Sequence, residues 1–119
     1  MPHSPQDVYT KVLGKKGETR AEQYLKSQGF VLVSRNYRTP FGEADLLMQH
    51  GEDTVFVEVK TRTADGYGAP AEAVTKTKIA HYKKIAAYYL SGRREEISIR
   101  FDVVEVLADG QINHIENAF

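Results

Sequence analysis

The chain contains no cysteine. Disulfide frameworks and thiolate-bound zinc are therefore excluded, and a reducing, cytoplasmic setting is the simplest expectation. No run approaches the ~20 apolar residues that a membrane-spanning helix needs. The opening "MPHSPQDVYT" lacks the basic and apolar regions of a secretory signal. Net charge is also absent, with sixteen basic residues balancing sixteen acidic ones. Any attraction to nucleic acid must then come from local patches rather than from the whole molecule.

The charges that are present are unevenly placed. Arg35, Arg38, Lys76, Lys78, Lys83, Lys84, Arg93 and Arg94 gather around loops and one helix, and Glu43, Asp45, Glu52, Asp53 and Glu58 lie mid-chain. A length of 119 residues suits one domain with a real core. Without linker or repeat, residues 1–119 are expected to form a single domain, its core about 15–108.

The spacing predicts a first helix from about Lys15 to Gln28, with Gly29 as its stop, because Gly14 and Gly17 would weaken a continuous helix from Gln6. "FVLVSRNYR" (30–38) reads as a strand, followed by the turn signal "TPFG". "EADLLMQH" (43–50) and "TVFVEVKT" (54–61) form a hairpin around "GED". A second helix, Thr75 to Leu90, carries Ile79, Tyr82, Ile85, Ala86, Tyr89 and Leu90 at helical spacing. "ISIRFDVVEVLA" (97–108) and "QINHIEN" (111–117) close the chain as a strand pair. The order α-β-β-β-α-β-β implies one sheet with helices packed on it.

A two-residue turn at Gly51-Glu52, with glycine first as a II′ turn prefers, sets the hairpin register. Met48 then meets Val55, Leu46 meets Val57 and Leu47 meets Phe56. The same register puts Asp45 opposite Glu58, with Cβ atoms ~5 Å apart. Like charges so placed repel, and either Lys60, two residues along, or a divalent cation would offset that. Mg²⁺ or Mn²⁺ held by Asp45 and Glu58, with Lys60 beside it to orient a water, is a kit for metal-assisted phosphodiester hydrolysis. On the first helix Glu18 sits at the edge of the apolar stripe of Ala21, Tyr24 and Leu25, so it is the preferred third carboxylate. Glu22, projecting further toward solvent, is the fallback.

In this order Glu18, "GEAD" (42–45), "VFVEVKTR" (55–62), "AVTKTK" (73–78) and "RFDVVEV" (100–106) resemble the YraN-like family of bacterial PD-(D/E)xK proteins, related to archaeal Holliday junction resolvases. The resemblance runs from about Lys15 to Val106. It implies a restriction-endonuclease-like α/β fold, metal bound by Asp45 and Glu58, Lys60 as catalytic lysine and Glu18 as the helix-borne acid. Ala44 stands where the superfamily often has proline.

Around this kit, Arg35 and Arg38 flank Tyr37 in "SRNYR", Arg62 follows the site on its own strand face and Lys78 opens the second helix. All four basic side chains suit phosphate contacts. Glu43 reads as a turn residue, Asp102 as a structural anchor and the four histidines as scattered without ligand spacing. The glycines of loop 62–70 would let it close over DNA. The expected function is Mg²⁺-dependent cleavage of structured DNA, such as a branch or junction, and a homodimer would supply two sites. The alternatives are a non-catalytic DNA-binding or adaptor protein on the nuclease fold and a purely protein-binding α/β domain.

Overall fold

The computed structural model describes residues 5–62, 75–93 and 95–119, with side chains from residue 15 onward. Its elements run α1 (Pro5–Ser27), β1 (Val31–Thr39), β2 (Gly42–His50), β3 (Asp53–Thr61), α2 (Lys76–Leu90), β4 (Ser98–Val106) and β5 (Ile112–Ile115). The five strands form one mixed sheet in the order β1-β2-β3-β4-β5. Neighbours are antiparallel except β3 and β4, which are parallel across the segment that contains α2.

The hairpin has the register expected from its apolar pairs. His50 faces Asp53, Met48 faces Val55 and Leu46 faces Val57. Gly51 takes φ +59° while Glu52 stays out of the positive region, as a II′ turn requires. Alternation along the strands then builds two cores. Leu46, Met48, Val55, Val57, Val104 and Val106 pack with Ala21 and Leu25 of α1. Leu47, Phe56 and Ala44 pack with Tyr82, Ile85 and Ala86 of α2. The fold is thus α/β and restriction-endonuclease-like, a sheet with one helix on each face.

The end of α1 follows from Gly29, whose φ of +91° no β-carbon residue adopts cheaply. Phe30 N–H donates to Leu25 O at 3.0 Å and Gly29 N–H to Lys26 O at 3.1 Å, the paired bonds of a Schellman stop. At the other end Thr75 caps α2, its side chain accepting from Lys78 N–H. β1, an outer strand, bulges between Leu32 and Ser34, which disfavours pairing with another chain along that edge.

The start of α1 corrects the expectation. The helix does not begin near Lys15 but runs unbroken from Pro5 through both Gly14 and Gly17. Tertiary packing overrides the poor helix propensity of Gly17. A Cβ at Gly17 would overlap Thr61 Oγ1 and come within 3.4 Å of Thr61 Cβ. The glycine therefore lets α1 lie directly on the end of β3, next to Lys60. Gly17→Ala should lower stability by about 1–3 kcal/mol in urea denaturation through overpacking, despite its helix-propensity gain of ~1 kcal/mol. Combining it with Thr61→Ala should recover most of the loss. The last strand is also shorter than the 111–117 segment anticipated.

Candidate metal and nucleic-acid site

Asp45 owes its position to a change of face in the two outer strands. Arg35 of β1 points to the α1 side, where its guanidinium meets Glu22, but Tyr37 packs in the core under α2. On β2, Leu46 belongs to the α1 core and Ala44 to the α2 core. Both strands therefore switch sides within one step, at Asn36 and Asp45. Asn36 takes the left-handed conformation (φ +49°) that asparagine tolerates better than most residues.

The β2–β3 ladder ends at Leu46–Val57 at this same step. Asp45 consequently does not pair with Glu58 as the next rung of a regular ladder. Its carboxylate accepts from Val59 N–H at 2.7 Å, lying against the β3 backbone. Asp45 is in this way close to acids from both faces. Burial, then the charge of Glu58, push its carboxyl up to about 7, with a further push from Glu18; Val59 N–H and Lys78 act in the opposite direction.

Glu58 is buried and held from three sides. Lys78 Nζ donates to its Oε1 at 2.6 Å, Lys60 Nζ lies 3.5 Å from the same oxygen, and the Tyr82 hydroxyl donates to Oε2. Burial and the nearby charges of Glu58 and Asp45 raise the ionisation of Tyr82 far above its usual range, so it remains a donor. Tyr82 was legible in the sequence only as part of an apolar stripe. Its hydroxyl is the polar end that a buried tyrosine normally partners.

Glu18, on α1, acts on Asp45 through its charge. Asn36 Nδ2 lies 3.5 Å from its Oε1, and Lys15 is 4.0 Å from its other oxygen. Glu22 departs from expectation, since it is only 8% exposed rather than directed to solvent. Arg35 clasps it in a two-pronged contact of 2.6 and 2.8 Å, and Lys26 adds a third at 2.8 Å. The Arg35 hydrogen bond, aided by Lys26 against the cost of burial, lowers the Glu22 carboxyl to about 2. A folded value below the ordinary 4.5 means the contribution is complete above about pH 4.5 and fades as pH falls toward 2. Glu22→Gln should cost about 1 kcal/mol at pH 7, after screening at the exposed Arg35. Acid denaturation curves of the two proteins should converge near pH 2.

The remaining basic residues are placed as follows. Arg38 is largely exposed beside Glu43, at 3.4 Å. Arg62 pairs with Glu105 at 2.7 Å, and its backbone N–H extends the link to Val106. Lys78 is engaged by Glu58. Arg35 is engaged by Glu22, though its side chain remains 63% exposed. The suggested closure of loop 62–70 falls on residues 63–70, which lie outside the described residues.

Asp102 is separate from this constellation. Arg100 grips it with two bonds of 2.9 Å, His114 Nε2 lies 2.8 Å away and Asn117 N–H donates at 3.0 Å. This fully buried carboxylate is a structural anchor, as the sequence suggested.

Among the described residues, no three His, Cys, Asp or Glu side chains are grouped to hold a metal ion. Asp45 and Glu58 nevertheless fit Mg²⁺ or Mn²⁺ as a pair of hard oxygen donors, the remaining ligands being water and phosphate. No helix among the described residues is long and apolar enough to cross a membrane.

Comparison with known proteins follows the same residues. The chain matches an uncharacterised protein family, UPF0102, over residues 17–106. A UPF0102 protein of Thermodesulfovibrio yellowstonii is 45% identical over 107 residues, covering 90% of this chain and 95% of its own. Another, from Syntrophomonas wolfei, is 47% identical over 111 residues, covering 90% and 96%. A solved structure of Pyrococcus furiosus SfsA in complex with Ca²⁺ aligns with 90% of this chain and 63% of that one. Its TM-score is 0.33 at 16% identity, too slight a likeness to bear on fold or site. With 90% of its length shared by close relatives and its fold that of a restriction-endonuclease-like domain, the chain belongs to UPF0102, the YraN-like family of PD-(D/E)xK-type proteins.

Proposed function

We propose that this protein is a metal-dependent endonuclease acting on structured DNA. One observation carries the reading: Lys60 and Lys78 converge on buried Glu58 beside Asp45, where β2 parts from β3. Asp45 and Glu58 would hold Mg²⁺ or Mn²⁺, with Glu18 of α1 adding negative charge beside them. When bound, the cation supplies neutralisation of phosphate charge and an acidified water. Lys60, the more loosely held of the two lysines at 3.5 Å, would position the attacking water. Lys78 and Tyr82 hold Glu58 in one rotamer. Arg38, exposed beside Glu43, and the outer side of Arg35 offer charge to the DNA backbone. Such contacts carry no sequence information, which favours recognition of a DNA shape.

A second reading, DNA binding without cleavage, is favoured by the fact that protein donors already hold both oxygens of Glu58. Incubation of branched and linear DNA with Mg²⁺ separates the two. Cleavage by the wild type, abolished by chelation and reduced at least 100-fold in Lys60→Ala, is expected. Equal cleavage by both proteins, or none by either on varied substrates, would defeat the catalytic reading.

A further inference from the structure

α2 carries Lys76, Lys78, His81, Lys83 and Lys84 and no acidic residue at all, in a chain whose net charge is zero. It is thus the main basic ridge among the described elements. Lys78 begins this ridge at Glu58. At 1.5 Å per residue, Tyr88 lies about 15 Å further along the helix axis, or roughly four base steps of a nucleic-acid strand. Here the β1–β2 turn comes against α2. Phe41 at the tip is 49% exposed and Tyr88 is 45% exposed. Their rings stand edge to face with centroids 6.4 Å apart. Lys84, Ala87 and Ser91 complete a shallow cleft of about 270 Å³ around them.

Two half-exposed aromatic rings beside a lysine have little folding rationale, since neither ring belongs to the packed cores. Base-stacking sites for single strands combine the same parts, an aromatic face and a cation for the backbone. We infer that the Phe41–Tyr88 cleft stacks an unpaired nucleobase, with Lys84 on the adjoining phosphate. The occupant is an unpaired arm of nucleic acid, because the charged side chains of the helix leading to the cleft are all basic. This inference rests on the DNA-binding part of the reading above and narrows the substrate to DNA with an unpaired segment near the cut.

The test measures binding by anisotropy in EDTA, so that cleavage plays no part. The probes are a fully paired duplex and the same duplex carrying a short unpaired arm with 2-aminopurine. Wild type should bind the armed DNA more tightly and quench the 2-aminopurine. Phe41→Ala/Tyr88→Ala should lose at least tenfold on the armed DNA, less than twofold on the duplex, and the quenching. Tyr88→Phe, which keeps the ring, should restore most of the binding. Equal losses on both probes, or no loss on either, would overturn the subsite while leaving DNA binding intact. Failure of the wild type to bind either probe would overturn both. A change in sedimentation of the double variant would assign the cleft to contact with a second copy and likewise overturn the inference.

Discussion

Asp45→Asn is expected to reduce Mg²⁺-dependent DNA cleavage by about 10³-fold, a loss typical of removing a principal electrostatic group, while leaving the metal-free protein as stable or more stable. The two effects have one cause. Asp45 is buried next to Glu58, and its carboxyl is pushed up to about 7 by that burial and charge. An acid whose folded value lies above its unfolded value favours folding below about pH 4, and the benefit is lost as pH rises through 7. Asparagine is neutral throughout, and its side-chain oxygen still accepts from Val59 N–H, where Asp45 now accepts at 2.7 Å. The variant should therefore gain on the order of 1–2 kcal/mol at pH 8 and almost nothing at pH 4. Cleavage assays and urea denaturation at the two pH values measure both halves. A fall in stability at pH 8 together with retained cleavage would mean that Asp45 is structural.

Asp102→Ala should behave in the opposite way. Removing this carboxylate leaves Arg100 and His114 without the acceptor they share and frees Asn117 N–H, all around a fully buried position. Breaking such a buried ion pair typically costs about 3–5 kcal/mol, a large share of the roughly 5–15 kcal/mol that stabilises a domain. The melting temperature should fall by about 10 °C or more. Although burial works against it, bonds from His114, Arg100 and Asn117 hold the Asp102 carboxyl below its ordinary range. Its contribution is thus present at neutral pH and is lost in acid. Below the lowered melting point, the variant should still cleave DNA, because none of these partners reaches Glu58. Loss of cleavage in a folded Asp102→Ala protein would place Asp102 in the site after all.

What could be read from the sequence divides along physical lines. The hairpin register was legible because apolar alternation and the Gly51 turn each fixed it, and a one-residue slip would have reversed every side chain. Glu58 and Lys60 followed from that register, and so did the neighbourhood of Asp45. The switch of faces at Asn36 and Asp45 was not legible, since it arises where β2, still paired with β1, leaves the β3 ladder rather than from any local pattern. Nor was the contact of Lys78 with Glu58, which joins elements twenty residues apart. Glu22 looked solvated from its helical angle alone. Only Arg35, brought across from β1, gives a reason for its burial. Gly17 looked like a helix breaker because propensity is local, whereas its function, close approach to Thr61, is tertiary.

Whether Asp45 and Glu58 share a divalent cation decides the functional reading most directly. Crystals soaked in Mn²⁺ should give an anomalous peak between the Asp45 and Glu58 carboxylates, present in the wild type and absent in Asp45→Asn. No peak at that position in the wild type, with Lys78 and Tyr82 still closed on Glu58, would contradict a metal-dependent site.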